Sequence, residues 1–367
     1  MPSRIFCTFL LLVLIPDTSS SCLGALRKRD EPLEQWVERR LGAMGTGLRI
    51  EVAARTREQA LAASEQALRA IEACERRLST WGEDSQGELA QFNRSAVGEA
   101  VVLSQPLALE LQAALGWSRA TGGAFNPAIG PLVRAWDLRG SGRRPGAMEL
   151  SAAIGDVSLA GLDLLGTRAT RRRSGLVLEE GGFGKGAGLD AALAALRDTP
   201  MTSVRLDLGG QWLIATGTGE SVSSPTILAV AHPSDRDRPV LHISVTSGSL
   251  ATSGNSERGI VVDGEHLGHV LDPRTGNPAP DFGSITVLAP TGLAADALST
   301  GLYVMGPDKA LEWCSQQADI EVLALLTTPN GLRVLASPGL RGRIQPCIPT
   351  LKVEFSDFES PAHPLIR

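Results

Sequence analysis

The chain is poor in lysine and has no block of clustered basic residues. Its 367 residues carry Lys only at Lys28, Lys185, Lys309 and Lys352, and the net charge is −5. Binding to a phosphate backbone is driven by clustered Lys and Arg, so nucleic acid is excluded as a partner. Cysteine is also scarce, five residues in all with no CxxC. Beyond the first 22 residues stand Cys74, Cys314 and Cys347, an odd number, so neither a disulfide framework nor a zinc site is indicated; all three are expected to be small buried hydrophobes. No internal repeat, Walker A motif or GxGxxG fingerprint occurs. The longest apolar run, IFCTFLLLVLI after Met-Pro-Ser-Arg, is too short to span a bilayer comfortably.

That run instead has the length of a signal h-region, which points to export, residues 1–22 being the signal and the periplasm the destination. Cys22 in DTSSSC is a candidate lipid acceptor that would anchor the chain to the inner membrane, although Ser19 stands where Leu is usual. Simple cleavage is the equal alternative. Residues 23–41, charged and proline-containing, read as a tether, 42–345 as the folded domain, and 346–367, ending SPAHPLIR, as an irregular tail. With 43% hydrophobic residues the chain can bury a full core.

MGTGLRIEVAA alternates as a strand, and residues 57–79 form an amphipathic helix presenting Leu61, Leu68, Ile71, Cys74 and Leu78, with Glu75 at its edge. Residues 105–123 give a second helix closed by glycines. GLVLEEGGFGKGAGLDAALAALRD passes from an apolar run through glycines into an alanine-rich helix, a strand-turn-helix able to present N–H groups to an anion. The runs SVRLDLGG, WLIATG, ILAVA, LHISVTS, GIVVDG and SITVLAP, separated by turn residues, predict an antiparallel sheet, before LAADALSTGLYVMG turns helical. The fold class is α+β, antiparallel sheets with packed helices, rather than doubly wound.

Helical geometry places Asp296, Ser299 and Thr300 on one face. Three oxygen-bearing side chains suit a hard cation such as Mg²⁺, which takes one or two carboxylates with phosphates and water. Equally, Asp296 answers the helix dipole and the hydroxyls bond back to the preceding turn. Lys185 in GGFGKG is either a phosphate-facing cation or a solvated side chain. The aromatic loop at 121–138 either clasps a planar ring or packs in the core. Trp81, in a polar setting, is open to stacking or to packing.

Taken in order, MGT at 44–46, STWGEDSQGELAQFN, GGAFNPAIGPL, GGFGKG, LDLGG, SLATSGNSERG, GHVLDPRTGNPAP and AADALSTGLYVMG resemble the ApbE family of exported FAD:protein FMN transferases, from Gly42 into the 310s. The resemblance implies an ApbE-like domain with a T-fold-like core. It implies FAD, as substrate, bound across Met44, Trp81, Ala124, Phe125, Asn126, Gly181, Lys185, Ala187 and Val270. It also implies Mg²⁺ held by Asp296 and Thr300 with the Gly184 carbonyl, Ser299 lying beside them, and an acceptor protein as the second partner. The chain departs from the family at Asn126, where Asp is frequent, at Glu179 and Glu180 for Asp-Leu, at Ser299, and at Ala187 and Ser256 where aromatics are common. Losing carboxylates near a cation lowers its affinity.

The expected chemistry is attack by a Ser or Thr hydroxyl of the acceptor on the FMN-side phosphorus of FAD, with AMP leaving. Asp296 and Lys185 would balance the phosphate charge. An unperturbed histidine titrates in the range that suits a general base, so His269 in GHVLDPRTG is a candidate to take the hydroxyl proton. Alternatively it hydrogen-bonds the turn that Asp272 caps. Two rival functions stay open: an FAD pyrophosphatase that releases FMN and AMP, and a non-catalytic exported flavin-binding lipoprotein.

Overall fold

The computed structural model describes residues 34–81, 85–217, 224–255 and 259–357. The signal, Cys22, tether residues 23–33, Ser256 and the last ten residues of the tail lie outside them. A nine-stranded sheet runs through the body: Gln35–Ala43, Thr46–Ala54, Met201–Leu208, Gln211–Thr216, Gly248–Gly254, Gly283–Ala289, Glu321–Thr328, Gly331–Ala336 and Val353–Phe355. Spatial order follows chain order throughout, and every neighbouring pair is antiparallel except the last. Around it stand helices α1 (Arg57–Leu78), α2 (Glu88–Arg94), α3 (Gln105–Ala120), α4 (Gly130–Ala135), α5 (Ala147–Asp156), α6 (Gly184–Ala195), α7 (Gly292–Met305) and α8 (Pro307–Cys314). The α+β class read from the sequence is the one observed.

Alternation along the strands decides the layers. Val204 and Leu206 face α1 and α6 through Ala63, Ala67, Ile71, Leu189 and Ala192. Ile285 and Val287 face α7 through Leu298 and Leu302. On the opposite face Leu323 and Leu325 pack against Leu228, Val230, Leu241 and Ile243, which belong to a three-stranded sheet made of Thr226–His232, Asp235–Val245 and Ile344–Pro346. α1, α6, α7 and α8 therefore lie together on one side of the main sheet.

Several expectations need correction. The body starts earlier than Gly42, because Gln35–Ala43 pairs along its whole length with Thr46–Ala54. Val353–Phe355 places part of the expected tail in the sheet. The α1 stripe is built on alanines: Ala60, Ala63 and Ala67 are buried with Ile71, Cys74 and Leu78, while Leu61 is exposed, since only small side chains let α1 approach the sheet and α6. GLVLEE is extended but joins no ladder. Its backbone is satisfied one group at a time: Asn93 holds both the N–H and the carbonyl of Leu178 at 2.8 Å, and the Glu179 N–H donates to Pro127 at 2.8 Å. Cys74 and Cys314 are buried as expected, but Cys347 is exposed beside His242, with Sγ to Nδ1 3.5 Å.

Candidate active site at a crossing of two helix starts

The glycine-rich turn and the late helix meet because both are nearly bare of side chains where they touch. A Cβ built at Gly186 would lie 2.1 Å from the Gly292 carbonyl oxygen, and one at Gly292 would lie 2.4 Å from that of Gly186. Only glycine at both positions lets the first turns of α6 and α7 approach backbone to backbone. α7 is buried almost all round, which a helix interior accepts only if its polar groups are paired.

Asp296, 3% exposed, is so paired. Its Oδ1 faces Lys185 Nζ at 3.1 Å and its Oδ2 accepts the Gly186 N–H at 3.0 Å. Thr300 and Ser299 donate their hydroxyls back to the Asp296 carbonyl at 3.2 and 2.9 Å. Ser299 is also 2.8 Å from Ser253 on the neighbouring strand. Both hydroxyls thus bond to the preceding turn, and Ser299 is engaged on two sides. Thr300 lies against the glycine turn, where a Cβ at Gly182 would stand 3.5 Å from its Oγ1. Gly184 opens α6, so its carbonyl points along the helix, and an oxygen so bonded retains a second lone pair.

A second acid is tied in reverse. Asp190 on α6 accepts from the Gly292 and Leu293 N–H groups at 2.6 and 2.8 Å. Burial, with the charge of Asp296 adding to it, pushes its carboxyl up to about 6 against the two N–H bonds. Thr291 caps the same helix by accepting from Ala294.

Next to the turn, Glu179 and Glu180 share Thr80. The Thr80 N–H donates to Glu180 at 3.2 Å and its hydroxyl reaches both acids. Arg139 donates to the Thr80 carbonyl at 2.6 Å, pairs with Glu179, and lies 4.5 Å over the ring of Trp81. Burial raises Glu179 to about 7, outweighing the opposing pull of Arg139. Trp81 is 57% exposed, so its other face is open to solvent.

The remaining sequence-predicted residues divide by orientation. Met44 and Gly45 turn the first hairpin with φ of 50° and 73°, the left-handed pair of a two-residue hairpin loop. Met44 Sδ would sit 3.0 Å from a Cβ at Gly188 on α6. Ala124, Phe125, Ala187 and Val270 point into the core, and Trp136 is buried with them in kind. These side chains are buried, so a ligand in contact there would meet their backbone. Asn126 joins its loop to the end of α5, donating to Val157 at 3.0 Å while accepting from Ala128 at 2.9 Å. Gly181 has open space where a Cβ would be.

His269 follows the short strand Glu265–Gly268 directly and is half-buried. Asp272 organises the turn after it, accepting from the Arg274 N–H at 2.9 Å while its carbonyl accepts from Gly276 at 2.8 Å. Asn255 ties this segment to the site side, accepting from the Val270 N–H at 3.1 Å and donating to Ala279 at 2.8 Å. Asn255 directly follows the strand whose Ser253 meets Ser299. Sequence reasoning missed Asn255, Ser253, Asp190, Thr80 and Arg139. Thr80, Ser253 and Asn255 lie within the motifs STWGEDSQGELAQFN and SLATSGNSERG, and Asp190 within the glycine-rich stretch, but none carries a spacing signal; Arg139 lies just beyond the aromatic loop.

Among the described residues no group of three or more His, Cys, Asp or Glu could hold a metal. A cation here would rest on one carboxylate with neutral oxygens, the kind of set Mg²⁺ accepts when phosphates and water complete its shell. Asp296, Thr300 and the Gly184 carbonyl fit that description.

Comparison with known proteins extends the geometry. The family model described as the ApbE family matches residues 44–324. The FAD:protein FMN transferase of Treponema pallidum is 31% identical over 353 residues, covering 91% of this chain and 94% of that protein. The FAD:protein FMN transferase of Klebsiella pneumoniae is 30% identical over 316 residues, covering 81% and 86%. Among solved structures, the ApbE protein of Thermotoga maritima superposes with a TM-score of 0.72 at 27% identity, over 84% of this chain and 99% of that one. The flavin transferase ApbE of Vibrio cholerae gives 0.71 at 25%, over 85% and 100%.

Proposed function

The chain belongs to the ApbE family, and from that premise we propose that it transfers the FMN moiety of FAD to a Ser or Thr hydroxyl of an acceptor protein, releasing AMP. It is a flavin transferase, as its relatives are named. The observation that carries the finer reading is the junction of Lys185, Gly186 and Asp296, where a buried acid, a lysine and a helix start converge within 3.1 Å. Mg²⁺, when bound, would neutralise the diphosphate and stabilise the charge developing on the leaving AMP.

Asp296 would hold that cation, with Thr300 and the Gly184 carbonyl. Lys185 and the start of α6 would face the phosphates of the substrate. Trp81, backed by Arg139, would offer its open face to a planar ring. His269 would take the proton of the attacking hydroxyl, while its turn is kept in place by Asp272 and Asn255. Export and attachment through Cys22 belong to the same reading and rest on residues 1–22.

Incubation with FAD, Mg²⁺ and a candidate acceptor tests it. Flavin fluorescence should move with the acceptor on a denaturing gel, and Asp296→Ala should abolish the band. His269→Asn should bind FAD yet transfer nothing; near-normal turnover would remove it as the base. Release of free FMN without labelling would instead support hydrolysis, and unchanged FAD a binding protein.

A further inference from the structure

The proposed reaction needs Asp296 for a cation, yet that carboxylate already has a counter-ion in Lys185, 3.1 Å from Oδ1. The two partners differ in freedom: the acid side chain is 4% exposed and the lysine 36%, so the ammonium stands at the solvent edge on a flexible stem. An ammonium and a divalent ion repel strongly if they share one buried carboxylate oxygen. Among the described residues, the acids around the turn are already engaged. Asp190 has both oxygens on the α7 N–H groups, Glu179 is paired with Arg139, and Glu180 takes the N–H and hydroxyl of Thr80. The turn does open on one side, at Gly181. An ammonium leaving Asp296 there would need an anion supplied by the ligand.

We propose that Lys185 is a displaceable counter-cation: it holds Asp296 in the resting chain and moves to the diphosphate of FAD, so that flavin and divalent cation bind cooperatively. The inference rests on the reading of Asp296 given above. Because such coupling is reciprocal, each ligand should tighten the other by the same factor.

Mn²⁺ titrated into the full chain without nucleotide, with the free ion followed by its paramagnetic resonance signal, reads the competition directly. Lys185→Met keeps the stem and removes the charge; it should bind Mn²⁺ about tenfold tighter than the native chain or better. Lys185→Arg should bind no tighter than native. FAD should tighten Mn²⁺ on the native chain by a larger factor than on Lys185→Met. Because an acid left without its partner destabilises the fold, melting is the second measurement: Mn²⁺ should raise the midpoint of Lys185→Met more than that of the native chain. If the native chain binds Mn²⁺ and Lys185→Met binds it no tighter, or FAD acts equally on both, displacement is overturned while Asp296 keeps its role. If neither chain binds Mn²⁺, both readings fall.

Discussion

Replacing Gly186 by Ala puts the helix crossing itself on trial. The new methyl would stand 2.1 Å from the Gly292 oxygen, 2.3 Å from its carbon and 2.6 Å from the Leu293 nitrogen, all backbone atoms. None can swing away as a side chain would, so α6 and α7 must part. Overpacking of this kind costs about 1–3 kcal/mol. Parting also stretches the bonds from Gly292 and Leu293 to Asp190 and from Gly186 to Asp296, and a hydrogen bond to a charged group contributes roughly 1.5–3 kcal/mol. Against this, Ala gains about 1 kcal/mol of helix propensity over Gly. With one such bond lost the net is a destabilisation of roughly 2–5 kcal/mol, which at an m-value of about 3 kcal/mol/M lowers the urea midpoint by about 1 M. Gly181→Ala is the control, because a Cβ there meets nothing within 4 Å. Urea unfolding of the three chains, with flavin labelling measured on each, decides the matter. If Gly186→Ala unfolds at the native midpoint and labels normally, the crossing does not position Asp296.

Stability should also depend on pH through Glu179. Its folded value of about 7 lies above the ordinary 4.5, so its contribution is complete below about pH 4.5 and is lost as pH rises to 7. The loss is on the order of 3 kcal/mol; urea midpoints across that range should fall for the native chain and flatten for Glu179→Gln. Arg139→Ala frees both Trp81 and the Thr80 anchor, and should raise KM for FAD about three- to tenfold with a smaller change in kcat, consistent with a cation–π contact of about 0.5–1 kcal/mol plus its hydrogen bonds. A shift in kcat alone would contradict a role in binding. Among the three described cysteines only Cys347 is exposed, and native-state alkylation read by mass spectrometry should label it well before Cys74 and Cys314. Asp190→Asn should lose about 2–3 kcal/mol of stability, because the Gly292 and Leu293 N–H groups bond to different carboxylate oxygens and one of them would then face a donating NH2, yet leave Mn²⁺ affinity close to native in a titration.

What was legible in the sequence is what has a period or an unusual residue. Alternation marked Thr46–Ala54, apolar runs between turn residues marked Met201–Leu208 and the fully buried Gly283–Ala289, and LAADALSTGLYVMG marked α7. The scarcity of lysine drew attention to Lys185, and helical spacing to Asp296, and the fold brings these two into contact. Side-chain direction was not legible. Leu61 outranks Ala60 on any hydrophobic scale, yet Ala60 is inside, in one core cluster with Val52, Ala54 and Leu189. GLVLEE looked like a strand because extended apolar backbone looks the same whether a ladder or Asn93 satisfies it. Arg139 and Thr80, 59 residues apart, meet only through tertiary packing and leave no local trace.

The two buried acids of the crossing show how one chemistry is divided between structure and function. Each helix start is held by a carboxylate from the other helix: Asp190 of α6 binds the N–H groups of Gly292 and Leu293, and Asp296 of α7 binds that of Gly186. The arrangement is reciprocal up to the second oxygen. Asp190 spends both oxygens on backbone donors, which cannot leave without unfolding the helix turn. Asp296 spends one on backbone and the other on Lys185, a partner on four rotatable carbons with access to solvent. Backbone contact keeps Asp296 in place when that partner moves, so only this acid combines a fixed position with an exchangeable counter-ion. On the proposed reading Asp296 is the acid suited to a cation, while Asp190 fastens the helix start, although both are aspartates buried at the same junction.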